Sequence, residues 1–389
     1  MKRKVLFCVI FMSVYPCLCL FAQMGKLFNA DNQLSSSFTN QVYLDRDGFI
    51  WTATRNGLSR YDGYQQRIYK KENGTGMASN YVNCIMQDSK GLFYVGMYGA
   101  LQTYDGSAFK DVTVTDLNGN KIFCYVTSFI ERKTGELMVG TSGHGLLQIE
   151  TPEKAHQVNG DLRNIETIHQ MMEDRKGRLW LVTDKNGLLV YSQGKVVARY
   201  LQEENKRENV LTVCEDHDGR IYAGVTNQGL FRLEGNSFIR VENSEKESVS
   251  ALYCNHDGNI MVGYDGFGLG IYDPQSGSMT SNPYFSREVD LSLAKIVSIS
   301  EDLGGNVWLG IRQKGVYMQP AAQTDFNYMG DKLGTHNVIG QACVTSTLVD
   351  SRKHIWVGTD KDGLYQLSDA QQLLRHFSSN VPSTILSLA

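Results

Sequence analysis

The sequence predicts an all-β fold, a β-propeller of four-stranded antiparallel blades. Three observations predict it. A unit of about 43 residues recurs along nearly the whole 389-residue chain. Each unit reads as four short strands separated by Gly-bearing turns. No segment sustains a helical period, and the chain holds six prolines.

Two copies set the register. Asp45 to Thr54 (DRDGFIWTAT) is followed by Gly57-Leu58 and Tyr61-Asp62-Gly63, and Asp88 to Gly96 by Gly99-Ala100 and Tyr104-Asp105-Gly106. A large residue of the second strand recurs at Trp51, Tyr94, Met138, Trp180, Tyr222, Met261, Trp308 and Trp356, at spacings of 39 to 48 residues.

Each element of the unit has a physical reason. A first strand, such as Thr212-Val213-Cys214 or Ile296 to Ile299, runs into an Asp-x-x-Gly turn at Asp174–Gly177, Asp216–Gly219 and Asp302–Gly305. There Asp bonds the backbone two residues on, and Gly takes a positive φ. The second strand carries the large residue, as in Leu179-Trp180-Leu181-Val182. A second Gly (Gly145, Gly187, Gly229, Gly268, Gly315, Gly363) opens the third strand, and a weaker fourth follows, such as Ser237 to Val241. Two residues beyond the large residue stands Gly96, Gly140, Gly224, Gly263, Gly310 or Gly358. A small residue there lets neighbouring sheets approach. Ala53 and Val182 depart from that rule.

The start of the chain reads as a leader. Met1 to Lys4 is basic, Val5 to Phe21 is apolar, and Ala22 ends the run. This is the layout of a signal peptide cleaved after Ala22. An uncleaved anchor is the alternative, but the run is short for a span and contains Pro16. Removal leaves 367 residues and five of the eight cysteines: Cys84, Cys124, Cys214, Cys254 and Cys343. Their odd number and wide spacing suit small buried strand residues better than disulfides or a metal site. The net charge of −3 and the scattered basic residues give no footprint for nucleic acid.

The expected organisation is a signal peptide over 1–22, a seven-bladed ring over 23–320, and over 321–389 the incomplete start of a second propeller. Leu27-Phe28 would supply the outer strand of the seventh blade. Gln319-Pro320-Ala321-Ala322 would be the joint, and Phe326-Asn327-Tyr328 would repeat the role of Leu27-Phe28. A single eight-bladed ring is the rival. Ser383 to Ala389 reads as the first strand of a ninth repeat, so the chain is expected to be a truncated piece of a longer protein.

The motif Ile355-Trp356-Val357-Gly358-Thr359-Asp360-Lys361-Asp362-Gly363-Leu364, with Thr54 and Gly57-Leu58, and Thr141 with Gly145-Leu146, resembles the two-component regulator propeller repeat. Leu27-Phe28 and Leu34 to Ser37 before Val42 also resemble the start of that family. The resemblance covers nearly the whole chain after the leader. It implies the periplasmic sensor of a Bacteroidetes-type hybrid histidine kinase, anchored in the inner membrane and responding to oligosaccharides. This chain departs from the family pattern, since no second apolar span, kinase, receiver or DNA-binding helix pair is present in it.

No catalytic residue and no metal ligand set stands out. There is no G-x-S-x-G elbow and no H-E-x-x-H, and the eight histidines show no short spacing. His217 and His256 fall in hairpin turns. The pairs Asp45/Asp47 and Asp216/Asp218 resemble calcium loops but lack the further oxygens calcium needs. No cofactor is implied. What remains is ligand recognition by loops on a rigid frame. The loops between second and third strands gather at one rim with the inter-blade connections. The ligand-binding residues expected there are Arg55, Tyr98, His144, Asp184, Lys185, Asp265, Phe267 and Arg312. An oligosaccharide or other small ligand is the expected partner, and a homodimer is left open. A protein-interaction scaffold and a propeller lyase are the competing readings.

Overall fold

The computed structural model describes residues 25–202, 209–284, 286, 288–321, 338–340, 342–369, 372–379 and 381–388. The expected leader, Cys17, Cys19 and the Phe326-Asn327-Tyr328 segment lie outside them. Tertiary contacts divide the chain into two units, one built on residues 24–323 and the other on 337–389.

The first unit contains seven antiparallel sheets. Their first strands are Thr39–Leu44, Val82–Gln87, Tyr125–Glu131, Ile168–Glu173, Val210–Glu215, Val249–Cys254 and Ile296–Glu301, and these define blades 1 to 7. Six blades are consecutive in sequence. The seventh is completed by Lys26–Phe28, which pairs antiparallel with Gly315–Gln319, Phe28 opposite Val316. Leu27-Phe28 therefore takes the outer place expected for it.

Blade 3 departs from four strands. Thr113–Thr115, from the connection after blade 2, adds a fifth, parallel to Lys154–Gln157. The cause is a long connection turned at Asp116–Gly119, which buries Val112 and Val114 in the blade 3 core.

The second strands are buried along their length in all seven blades except at Leu137 and Ser142 of blade 3. The glycines beyond the large residues mark where blades touch. A Cβ on Gly224 would lie 2.5 Å from Val249 Cγ1, and one on Gly96 2.5 Å from Val126 Cγ1, both on the following blade. Side-chain volume at these positions would hold the sheets apart.

Each tryptophan is tied to the Asp six residues before it. Asp45 Oδ1 accepts the N–H groups of Asp47 and Phe49, and Oδ2 accepts the Trp51 indole N–H at 2.7 Å. Asp174 with Trp180, Asp302 with Trp308 and Asp350 with Trp356 repeat this at 2.9, 2.8 and 3.0 Å. At Asp216 the Tyr222 hydroxyl replaces the indole. Asp45 and Asp216, the first acid of each pair that resembled a calcium loop, thus accept from turn N–H groups and core side chains.

At the same end of the ring, the last residue of a first strand holds the preceding blade. Gln87, Glu131, Glu173, Glu215 and Glu301 accept the backbone N–H of Arg46, Ser89, Lys133, Arg175 and His256, at 2.6 to 3.0 Å. Leu44 occupies this place in blade 1. At that joint Phe28, Trp308 and Val316 pack instead with Val42 and Ile50.

The five cysteines among the described residues are free thiols. Cys84, Cys124 and Cys214 are buried as expected, and burial pushes the Cys124 thiol up to about 11. Cys254 is half-buried and Cys343 is exposed, so the buried reading fails for Cys343.

The second unit has one four-stranded sheet: Val344–Val349, Ile355–Thr359, Leu364–Leu367 and Leu373–Phe377. A Cβ on Gly358 would lie 2.7 Å from Ile385 Cγ2, and Gly363 donates its N–H to Ser383 O at 2.9 Å. Ile385 thus stands to Gly358 as Val249 stands to Gly224.

Candidate ligand site at the channel mouth

Every first strand of the ring carries a β-bulge one or two residues from its start. The extra residues are Asn40, Asn83, Thr127, His169, Leu211, Ser250 and Val297. A bulge twists the strand and re-aims a side chain. Several of these side chains bridge blades: Asn40 Nδ2 donates to Val82 O and Asn83 Nδ2 to Val126 O, both at 2.8 Å. Thr127 and Ser250 donate likewise to Ile168 O and Ile296 O.

On blades 1, 2, 5, 6 and 7 two backbone bonds gather the rim. The residue after the second strand donates its N–H to the carbonyl just before the first strand: Arg55 to Phe38 and Tyr98 to Tyr81 at 3.0 Å, Asp265 to Ser248 at 2.9 Å, Arg312 to Lys295 at 2.8 Å. The glycine opening the third strand bonds the entry of the next blade, Gly57 to Asn80 O at 2.7 Å and Gly99 to Cys124 O at 3.1 Å. Gly315 donates to Ser37 O at 3.0 Å, which closes the circle from blade 7 to blade 1. Gly315 has φ +99°, and a Cβ there would lie 2.0 Å from Phe28 O, so the position requires glycine.

The bulged strands and these loops line a cavity of about 660 Å³ that runs along the channel from Phe38, Arg55 and Arg312 at the rim to Tyr43 and Tyr253. Its wall includes the bulge residues together with Phe38, Arg55, Tyr81, Tyr125 and Arg312. On blades 1 to 3 five side chains form an arc. The Arg55 guanidinium carbon lies 5.2 Å from the Phe38 ring centroid and 5.7 Å from that of Tyr81. Tyr98 lies 6.2 Å from Tyr81 and 5.8 Å from Tyr125. The Tyr125 hydroxyl donates to Asn83 Oδ1 at 3.2 Å, and burial raises its pKa. Tyr98 remains 67% exposed, so its ring is open to a ligand. A second hollow of about 260 Å³ adjoins Tyr98, bounded by Lys121 and the 76% exposed Phe123.

The eight residues expected at the rim separate. Arg55 and Arg312 line the cavity, and Tyr98 joins the arc beside it. His144, Asp184, Lys185, Asp265 and Phe267 are not on the cavity wall. Asp184 lies 3.7 Å from His169 Nε2, Lys185 3.3 Å from Glu166, and Asp265 3.5 Å from Lys295. Phe267 packs edge-on against Tyr264, and the His144 carbonyl accepts from Gln157. Sequence reasoning missed Phe38, Tyr81 and Tyr125. Their signal is an aromatic residue two places before the bulge in three successive repeats: Phe38-Thr39-Asn40, Tyr81-Val82-Asn83 and Tyr125-Val126-Thr127.

Among the described residues, no three His, Cys, Asp or Glu side chains form a set that could hold a metal ion. His169 is the one histidine on the cavity wall, and the wall contains no Asp or Glu.

No family model matches the chain, and no curated protein matches it. Solved structures do. The extracellular domain of the hybrid two-component system BT3049 from B. thetaiotaomicron matches with a TM-score of 0.67 and 18% identity, over 94% of this chain and 50% of that one. The corresponding domain of BT4673 from the same organism gives 0.57 and 18%, over 90% and 46%. Streptogramin B lyase gives 0.61 and 11%, over 76% and 97%. The chain spans about half the length of the two-component domains it matches. At these identities the likeness is one of fold: the chain is a β-propeller protein similar in architecture to the extracellular domains of Bacteroides two-component systems.

Proposed function

We propose that this chain is an exported, ligand-sensing propeller, the periplasmic sensor region of a hybrid two-component histidine kinase, and that it binds an oligosaccharide at the channel mouth. The observation that carries the reading is the arc of Phe38, Arg55, Tyr81, Tyr98 and Tyr125 beside a cavity of about 660 Å³. Aromatic faces suit the apolar faces of sugar rings, and the Tyr98 ring is open to one. The leader-like start of the sequence and the fold likeness to extracellular sensor domains support export. The reading is of a binding protein, because the wall offers one histidine and no carboxylate for acid–base chemistry.

Isothermal titration calorimetry of the full chain against a panel of neutral and acidic oligosaccharides tests this. At least one should bind, and Tyr98→Ala should weaken it roughly three- to tenfold, the range of one aromatic contact. Silence across the panel overturns the proposal.

A further inference from the structure

The mouth is cationic in a chain that is not. The net charge is −3, yet the ionisable side chains on the cavity wall that carry fixed charge are Arg55 and Arg312. Among the described residues neither guanidinium has a carboxylate partner within ion-pair distance. The acids at the equivalent places of other blades, Asp184 and Asp265, do have partners, in His169 and Lys295. The rim thus pairs its acids and leaves two arginines of adjacent blades, 7 and 1, facing the cavity.

Arg55 is also held in place. Its backbone N–H is bonded to Phe38 O, and its guanidinium lies against both Phe38 and Tyr81. Stacking on ring faces leaves the planar N–H edge available, the arrangement that receives a carboxylate or sulfate with two parallel bonds. A cleft with one sign of charge and low-dielectric walls also concentrates ligands of the opposite sign.

From this we infer that the ligand is an anionic sugar, carrying a carboxylate or a sulfate, with its ring against the tyrosine arc and its anionic group held by Arg55 and Arg312. The inference rests on the proposed sugar-binding role of the same mouth and specifies its ligand class.

Calorimetry with the full chain distinguishes the two levels. The probes are di- and tri-galacturonate, their neutral methyl esters, a sulfated disaccharide and inorganic sulfate. An acidic sugar should bind about tenfold or more tighter than its neutral counterpart, and the carboxylate and sulfate arms identify which group is read. Arg55→Met and Arg312→Met should each weaken the acidic probe about tenfold and cost the acidic probe more than its neutral counterpart. Arg55→Lys should retain part of the affinity, because charge survives without the planar fork. Far-UV circular dichroism verifies folding, and either methionine variant suffices should the other misfold. Equal or tighter binding of the methyl esters, or arginine variants that bind acidic sugar unchanged, overturns the anionic assignment while leaving sugar sensing standing. Binding of inorganic sulfate with no sugar overturns the ring contact. No binding by any probe overturns this inference, and silence across the wider panel overturns the sensing role as well.

Discussion

Phe28→Ala should open the ring at its one joint made by two chain ends. Phe28 is 1% exposed. Its ring lies 5.6 Å from Trp308 in blade 7 and 4.9 Å from Tyr61 in blade 1, so one side chain grips both blades. The carboxylate or amide tie of five other joints is replaced here by Leu44, so the Phe28 cluster adds apolar packing to the hydrogen bonds of Val42 with Ser298 and Ser300 and of Gly315 with Ser37. A buried Phe→Ala change costs about 3–5 kcal/mol through lost transfer energy and a residual cavity. Unfolding entropy of about 2.1 cal/mol/K per residue gives roughly 0.6 kcal/mol/K for a ring of about 300 residues. The melting temperature should therefore fall by about 5–8 °C. Thermal and urea unfolding followed by far-UV circular dichroism and tryptophan emission measures it, since Trp308 adjoins the site. Phe28→Leu should recover about half of the loss. A loss below about 1 kcal/mol, the level of an ordinary surface or half-buried site, would refute the view that this strand clasps the ring.

Gly224→Ala should destabilise the chain by about 1–3 kcal/mol, seen as a lower urea midpoint, because the new methyl would sit 2.5 Å from Val249 of the next blade and 2.6 Å from Thr212. An unchanged or raised midpoint would show that the blades do not touch there. His256, whose imidazole bonds Glu301 across the joint of blades 6 and 7, should titrate above its ordinary 6.5 because that bond favours the charged ring. Its contribution to stability is then complete below pH 6.5 and lost as pH rises through the raised value. Imidazole NMR titration reads it directly, and Glu301→Gln should return the value toward 6.5.

The frame was legible because packing imposes it on every copy. The glycines at Gly96, Gly140, Gly224, Gly263 and Gly310 recur since a Cβ would meet the neighbouring blade, and the Asp-x-x-Gly turns recur since the hairpin needs them. The Asp-to-Trp ties were legible in the spacing of Asp45 and Trp51, or Asp302 and Trp308, but only the turn half of that role was read. The bulges were not legible. Asn40, His169, Leu211 and Val297 share a conformation without sharing chemistry, so no residue type announces the extra position. The fifth strand of blade 3 was missed because Thr113–Thr115 pairs parallel with a strand about 40 residues on, a contact that no local pattern encodes. Of the eight rim-loop residues expected to bind ligand, Arg55 and Arg312 line the cavity and Tyr98 stands beside it. Asp184, Lys185 and Asp265 stand on the same rim loops but off the cavity wall, each beside a charged partner on an inter-blade connection or the adjoining first strand, and such pairs depend on blade geometry.

A ring of near-identical units can still hold a directional site, because most columns of the repeat have no freedom to differ. The buried second strand, its glycine, the turn Asp and the third-strand glycine are all engaged in packing or hydrogen bonds. Two columns on the rim are not so constrained: the residue before the first strand and the residue after the second. On blades 1, 2, 5, 6 and 7 their backbones are bonded to one another, as Arg55 to Phe38 and Tyr98 to Tyr81, so side chains placed there are presented at the same height beside the channel. In the first column stand Phe38, Tyr81 and Tyr125, then Thr167, Asn209, Ser248 and Lys295; in the second Arg55, Tyr98, Ser142, Asp184, Thr226, Asp265 and Arg312. Aromatic rings cluster on blades 1 to 3 and unpaired cations on blades 7 and 1, while the acids sit beside basic groups. The frame supplies the height and the spacing, and these two columns supply the chemistry. In a propeller of this kind the ligand is therefore better sought by reading the rim columns around the ring than by searching along the chain for a motif.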